Sequence, residues 1–312
     1  MRTTLKLTEI IKEWMLDLDV LPMTKADYKR KIELWFRWLS AHEIDPRNPQ
    51  RFNLLEYKQQ LQSESKSVFT VNSYVTVVRL FYSYCEQRRY YDNIGVGVKS
   101  SSKQKEHYKY PLTRRQSIAL LNSIDISSAI GMRDKLIIAL MLTNGLRTCE
   151  VARINIEDFS KSGDQTILVV QRKGRVDKRE RVAIAPAVSI LFEDYIACRD
   201  FKVIEPLFIS HSRNSSHTQL ARQTISEMVK RRMLTAGINH PKISAHSLRH
   251  TCGSLMVEQG YSIEDIKDLL GHSSTQATQI YIDMARQKRM ISRSPSKKIA
   301  RLLFKNKKIK QM

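Results

Sequence analysis

The densest chemistry in the chain lies in AHSLRHTCGSLMVEQG, which begins at Ala245 and sets His246, Arg249 and His250 at the head of an otherwise apolar, helix-like run. His246 and His250 are four residues apart and share a helix face, as in a zinc-binding HExxH helix. Here SLR separates them, so no glutamate base stands between them and an arginine would oppose the metal's charge. An oxyanion fits better. His246 and Arg249, three apart, lie on one face. They offer an imidazole donor beside a bidentate guanidinium, which suits the two non-bridging oxygens of a phosphate. His250, one step round the helix, reads as structural.

Three further segments carry similar side chains. In TNGLRTCEVARI, Arg147 follows a break at Gly145 and stands near a helix N-terminus, where backbone amides favour anions. Glu150 is within reach of its guanidinium; the plainer reading of the pair is a surface contact worth under about 1 kcal/mol. In YSIEDIKDLLGHSSTQATQIYIDMA, Ser262 with Asp265 caps one helix and Gly271 ends it. His272 then sits in a tight turn that can aim its imidazole, and Ser273 with Gln276 can cap the next helix. Tyr281, flanked by Ile280 and Ile282, reads on its own as a half-buried core tyrosine. In DQTILVVQRKGRVDKRERVAI, β-branched residues flank a charged turn with Gly174, a hairpin signal that carries Lys173, Arg175 and Lys178.

The elements that must position these residues are mostly helical. The first hundred residues contain four helical patterns: LTEIIKEWMLDLDV; a second capped by Thr24 with Asp27; a third opened by Asn53 with Glu56; and a fourth from about Val68 to Arg89. The fourth carries an apolar stripe of Val71, Tyr74, Val75, Val78, Leu80, Phe81 and Tyr84, which reads as the core of a small bundle. VGVKSSSKQKEHYKYPLT, from Val96 to Thr113, is polar and basic and reads as a linker. Beyond Pro111 the pattern is mainly helical with one small sheet. Ile299, Leu302 and Leu303 give the tail a short amphipathic helix.

With 312 residues and 42% hydrophobic content, the chain can bury a substantial core in about two domains. Its apolar runs, such as LIIALML, are too short to span a bilayer. Cys85, Cys149, Cys198 and Cys252 form no CxxC pair, which suits reduced thiols in a cytoplasmic protein. Lys and Arg outnumber Asp and Glu by 53 to 31, a net charge of +22. The excess is uneven. Residues 1–50 hold nine basic and eight acidic side chains, residues 201–250 eight and two, and residues 286–312 eleven and none. Such a surface releases counterions from a polyanion, so nucleic acid is the favoured partner over a membrane.

Arg147 in GLRTCE, Lys173 in QRKGR, His246 and Arg249 in HSLR, His272 in LGH and Tyr281 in TQIYID occur in one order. In this the sequence resembles the tyrosine recombinase (phage integrase) family over nearly its whole length, with a match at all six polar positions. The resemblance implies an N-terminal helical, SAM-like core-binding domain at 1–98, a basic linker at 99–112, an α+β catalytic domain at 113–290 and a basic tail at 291–312. Together these would form a C-shaped clamp around DNA. It implies that Tyr281 attacks a DNA phosphodiester, leaving a 3′-phosphotyrosyl bond and a free 5′-hydroxyl. Arg147, Arg249 and His272 would stabilise the transition state. Lys173 would protonate the leaving oxygen, His246 would act as donor or base, and Glu150 would orient Arg147. Lys178 and Arg175 share the turn with Lys173 and compete with it for that role.

No Gly-rich phosphate loop or acidic metal cluster stands out, in keeping with a reaction that uses neither ATP nor metal nor another cofactor. The implied partners are double-stranded DNA with a specific recombination site and further copies of the chain, as a tetramer on two sites joined through the C-terminal tail. Rejoining to a partner duplex would pass through a Holliday junction. The chain opens directly on the core-binding helices, which points to a Xer-like recombinase without an arm-binding domain. Its tasks would include dimer resolution or the integration and excision of a mobile element. A type IB topoisomerase uses similar residues without exchanging partners, and a non-catalytic DNA-binding regulator would lack one of them.

Overall fold

The computed structural model describes residues 6–101, 109–198, 206–211 and 218–304. The chain divides into two compact units, Met1–His107 and Tyr108–Met312.

The first unit is built from α1 (Leu7–Asp17), α2 (Pro22–Ala41), α3 (Arg51–Ser63) and α4 (Val68–Gln87), with α4 packed against the other three. α2 begins before Thr24, because Pro22 has a φ already set for a first turn and no N–H to leave unbonded. α3 likewise starts at Arg51: Asn53 lies inside its first turn, and its Oδ1 accepts from the Gln50 N–H at 2.8 Å. The Ser67 hydroxyl caps α4 by accepting from the Thr70 N–H. All three tryptophans of the chain, Trp14, Trp35 and Trp38, are buried in this unit. Trp35 stacks on Trp38 with ring centroids 5.3 Å apart and meets Tyr57 edge-on at 5.1 Å. Burial of each such ring stabilises by roughly 1.5–3 kcal/mol or more. Leu80, expected in the core stripe of α4, is instead 39% exposed.

The two ends of the basic stretch are docked. Ser101 and Asn72 exchange two hydrogen bonds, and Lys58 Nζ donates to the Lys99 carbonyl, all within the first unit. The Tyr110 N–H donates to the Lys242 carbonyl and the Leu112 N–H to Thr251 Oγ1, within the second. The middle of that stretch, residues 102–108, lies outside the described residues.

The second unit runs α5 (Arg114–Asn122), α6 (Ala129–Thr143), α7 (Thr148–Val151), β1 (Phe159–Ser162), β2 (Gln165–Val170), β3 (Glu180–Ile184), α8 (Pro186–Ala197), α9 (Arg222–Thr235), α10 (Ala245–Gln259), α11 (Ile263–Leu270), α12 (Gln276–Ser292) and α13 (Pro295–Leu303). The second half of α6 is apolar all round because it is the centre of the core: Leu136 to Leu142 are all buried, between α8 and α10. The sheet is antiparallel in the order β1-β2-β3, with Leu168 opposite Phe159 on one side and Val182 on the other. The β2–β3 hairpin falls on the expected segment. β1 was not expected: FSKS is short and mostly polar, and it forms one edge of the sheet.

Ser262 and Asp265 cap α11, and Gly271, at φ +59°, ends it. α12 begins after Thr275, and Ser273 does not cap it. A second, smaller core of Cys252, Ile266, Leu270 and Tyr281 joins α10, α11 and α12. α13 occupies the expected tail segment with Ile299, Leu302 and Leu303 exposed; the residues beyond Phe304 lie outside the described residues. Among the described residues no helix is long and apolar enough to cross a membrane.

Candidate active site

Gly145 turns the chain between α6 and α7. Its φ is +60°, and a Cβ there would stand 2.2 Å from Leu270 Cδ2, so only glycine fits. The turn leaves Arg147 at the N-cap of α7, with Glu150 fully buried behind it. Glu150 Oε1 accepts from Arg147 Nη1 at 2.7 Å and from the Lys173 N–H at 3.1 Å; Oε2 accepts from the Arg147 N–H at 2.9 Å. Burial alone would raise the Glu150 pKa. The N–H and guanidinium of Arg147 and the N–H of Lys173 outweigh it and hold the carboxyl below its ordinary value. Glu150 is therefore an anion that fixes Arg147. Breaking such a buried pair from one side costs about 3–5 kcal/mol, well above the value of a surface pair.

α10 supplies the second cation from inside the core. Arg249 is 1% exposed. Its Nη1 donates to the Gly145 carbonyl at 2.7 Å and its Nη2 to the Leu270 carbonyl at 2.5 Å. Burial, followed by repulsion from Arg147, lowers its pKa to about 10, so it stays charged at neutral pH. Two carbonyls orient the guanidinium without neutralising it, and among the described residues it has no carboxylate partner. His246 stands one turn away, its pKa pushed down to about 4 by burial first and then by Arg249, Arg147 and Lys173. It is neutral at pH 7 and can donate or accept a proton.

These groups open on a cleft of about 540 Å³ whose lining includes Lys109, Arg147, Lys173, His246 and Arg249. Of the three hairpin cations, Lys173 alone lines it. Lys178 is engaged elsewhere, with Nζ 2.6 Å from Asp158, and Arg175 lies 3.5 Å from Glu180. α9 adds Arg222 and Lys230 to the same wall. No acidic side chain lines this space, so its chemistry is that of an anion receptor.

His272 and Tyr281 are adjacent to this wall but do not line it. His272 shares a neighbouring hollow with Lys173. His272 Nδ1 is 2.8 Å from Thr278 Oγ1, and Thr278 is fully buried. Burial and then Arg249 and Arg147 lower the His272 pKa to about 4. A neutral ring whose Nδ1 accepts from the Thr278 hydroxyl presents Nε2–H as a donor. Tyr281 is 2% exposed, more buried than its sequence context suggests. Its ring stacks parallel to His272 at 6.3 Å and lies 5.5 Å from His250, which in turn meets His246 edge-on at 4.7 Å. Burial raises the Tyr281 pKa to about 12, partly offset by Arg249. Gly253 is what admits the ring, since a Cβ there would be 2.9 Å from it.

The reading of motifs missed Arg222, Lys230 and Lys109, which lie far from the motifs in sequence, and Arg172. The only signal for Arg222 and Lys230 was the basic excess of residues 201–250, whereas Lys109 lies in the basic linker stretch and Arg172 in the hairpin turn itself. Among the described residues no three His, Cys, Asp or Glu side chains cluster to hold a metal ion.

Comparison with known proteins places the chain. Residues 111–288 match the Phage integrase family. The tyrosine recombinase XerD of Pasteurella multocida is 26% identical over 272 residues, covering 85% of this chain and 88% of the relative. The tyrosine recombinase XerA of Pyrococcus furiosus is 24% identical over 278 residues, covering 88% and 89%. Among solved structures, the XerH site-specific recombinase bound to its palindromic difH substrate in a post-cleavage complex superposes with a TM-score of 0.68 at 19% identity, covering 87% of this chain and 79% of that one. A lambda integrase dimer bound to a COC′ core site superposes with a TM-score of 0.67 at 16% identity, covering 89% and 77%. With its helical bundle, its three-stranded sheet and its cationic cleft beside a buried tyrosine, the chain belongs to the phage integrase family of tyrosine-type site-specific recombinases.

Proposed function

We propose that this chain cleaves and rejoins duplex DNA at a specific site, with Tyr281 as nucleophile. The observation that carries the reading is the acid-free cleft in which Arg147, Lys173, His246 and Arg249 converge beside the tyrosine. The Tyr281 oxygen forms a bond to phosphorus as the bond to the 5′-oxygen breaks. Its proton passes to His246, and the leaving oxygen takes one from Lys173, leaving a 3′-phosphotyrosyl bond and a 5′-hydroxyl. Charge gathers on the non-bridging oxygens, where Arg147, Arg249 and the Nε2–H of His272 face it already oriented. Reversal with a 5′-hydroxyl from a second duplex exchanges strands through a Holliday junction, in an assembly of four copies on two sites. The lambda integrase tetramer bound to a Holliday junction, which shares the fold, supports that assembly.

The division of labour follows the two units: the helical unit grips the duplex and the other carries the chemistry. α13 is the coupling element. Leu302 and Leu303 are 67% and 74% exposed, and an apolar helix face so open is suited to docking on a neighbouring copy. Docking would draw on α12, which is continuous with the tail and carries Tyr281, and so would hold back cleavage until assembly. The tasks this chemistry would serve are the resolution of plasmid or chromosome dimers and the integration or excision of a mobile element.

The test is trapping on nicked suicide substrates cut from the native locus, read on a denaturing gel. A covalent band is expected with the natural chain and none with Tyr281→Phe, whose duplex binding stays intact. A band that persists in Tyr281→Phe would move the nucleophile elsewhere.

A further inference from the structure

Arg172 precedes Lys173 in the β2–β3 turn, and the two point apart. Lys173 lines the cleft, whereas Arg172 is turned inward and only 3% exposed. An inward guanidinium in a turn of otherwise solvated charges demands partners, and it finds three on different segments. Nε donates to Glu180 Oε2 at 2.7 Å, at the start of β3. Nη2 donates to the Leu269 carbonyl at 2.9 Å, on the last turn of α11. Nη1 stands 3.6 Å from Glu150 Oε2, beyond hydrogen-bond range, and is buried with no hydrogen bond.

Two of these partners, Glu150 and Leu269, belong to segments that hold other members of the site. Glu150 fixes Arg147 and accepts the Lys173 N–H. Leu269 is followed by Leu270, whose carbonyl orients Arg249, and then by Gly271 and His272. The last carbonyls of a helix carry partial negative charge, and two arginines, Arg172 and Arg249, satisfy successive carbonyls at the end of α11. The packing is close: a Cβ at Gly271 would stand 2.6 Å from Arg172 Nε. Without Arg172 the turn keeps two ties, the Lys173 N–H contact to Glu150 and the Lys178–Asp158 ion pair, and only the first of them adjoins Lys173.

We propose that Arg172 is the positioning residue for Lys173. It pins the hairpin to the end of α11 and to Glu150, so that the Lys173 ammonium is delivered to the leaving 5′-oxygen. This rests on the reading of Lys173 as general acid given above. Displacement of a reacting group by about 1 Å costs on the order of 100-fold in rate. Lysine cannot satisfy three separated partners, so Arg172→Lys keeps the charge and loses the tie. Glu180→Gln weakens the same anchor from its partly exposed side.

The experiment measures single-turnover cleavage of a suicide duplex carrying either a normal phosphate or a 5′-bridging phosphorothiolate, whose sulfur leaves without a proton. Lys173→Ala is the control, and duplex affinity and thermal melting are recorded for every variant. Arg172→Lys is expected to cleave the normal substrate about 100-fold more slowly and to recover most of that loss on the sulfur substrate, as Lys173→Ala does. Glu180→Gln is expected to show a smaller defect with the same recovery. If Lys173→Ala recovers and Arg172→Lys does not, Arg172 acts on Arg147, on His272 or on the fold, and the proposal is wrong. It is equally wrong if Arg172→Lys cleaves normally. If Lys173→Ala itself does not recover, the general acid has been misassigned, and this inference falls for that separate reason. If Arg172→Lys melts far below the natural chain, Glu180→Gln decides by the same ratio of sulfur to oxygen rates.

Discussion

The wall of cations and the helix that carries the tyrosine are built in opposite ways. Arg249 reaches from the core and is fixed by two backbone carbonyls; Arg147 is fixed by a carboxylate with no exposure of its own. By contrast, α12 buries Thr278 and Tyr281, and most of its other side chains lie in solvent or at the surface. Its apolar anchor is the four-residue core with Cys252, Ile266 and Leu270. Groups that stabilise charge act best when they need not reorganise, so rigidity serves them. On the reading of Tyr281 as nucleophile, it has to be withheld and then delivered, which favours an element with little holding it.

The largest effect expected from this contrast is on the rigid side. Arg147→Ala and Arg249→Ala should each slow cleavage by about 10²–10³-fold while duplex affinity falls only modestly, because each cation meets its extra charge in the transition state. Parallel binding and single-turnover assays check this; equal losses in both would make them ordinary phosphate contacts. On the movable side, Leu302→Ala with Leu303→Ala, every lysine and arginine kept, should weaken synapsis and recombination by about tenfold, on the order of 1.4 kcal/mol. Single-site binding should survive. Normal assembly of this double variant would make the tail an electrostatic clamp instead.

Two further tests probe the seat of the tyrosine. Gly253→Ala presses a methyl into the Tyr281 ring, so it should destabilise the free protein by about 1–3 kcal/mol and increase chemical nitration of Tyr281. Unchanged nitration would show α12 to be as fixed as the wall. The last test concerns pH. Burial, and then His246, Arg249 and His272, push the His250 pKa down to about 3 from an ordinary 6.5. The unfolded chain therefore binds the proton more readily. This contribution is complete above pH 6.5 and declines as pH falls towards 3, by up to about 1.4 kcal/mol per unit. His250→Phe should flatten the acid side of a denaturation series, and an unchanged slope would place the sensitivity in His246 or His272.

Much of this was legible in the sequence wherever a local rule sufficed. Apolar spacing marked the four helices of the first unit, Ser262 with Asp265 and Gly271 bounded α11, and the β-branched runs marked the hairpin. Helix starts were misplaced where a less obvious residue won: Pro22 over Thr24, and Gln50 over Asn53. β1 escaped because a four-residue, mostly polar strand at the edge of a sheet has no pattern of its own. At the site, what stayed hidden was direction. Arg172, Lys173, Arg175 and Lys178 sit in one charged turn, and only the fold sends the first inward, the second to the cleft and the others to Glu180 and Asp158. Arg222 and Lys230 joined the wall through packing that no motif encodes.

The placement of the three tryptophans has a practical consequence. Trp14, Trp35 and Trp38 all lie in the helical unit, and the second unit, with Tyr281, has none. Selective tryptophan excitation is therefore an optical label confined to one half of the protein, present without any engineering. Emission during denaturation follows the bundle alone, while far-ultraviolet circular dichroism sums over both halves. Where the two transitions diverge, the gap between them reads directly how strongly the halves are coupled, and a tryptophan placed on α12 would add a second reporter for the helix that carries Tyr281.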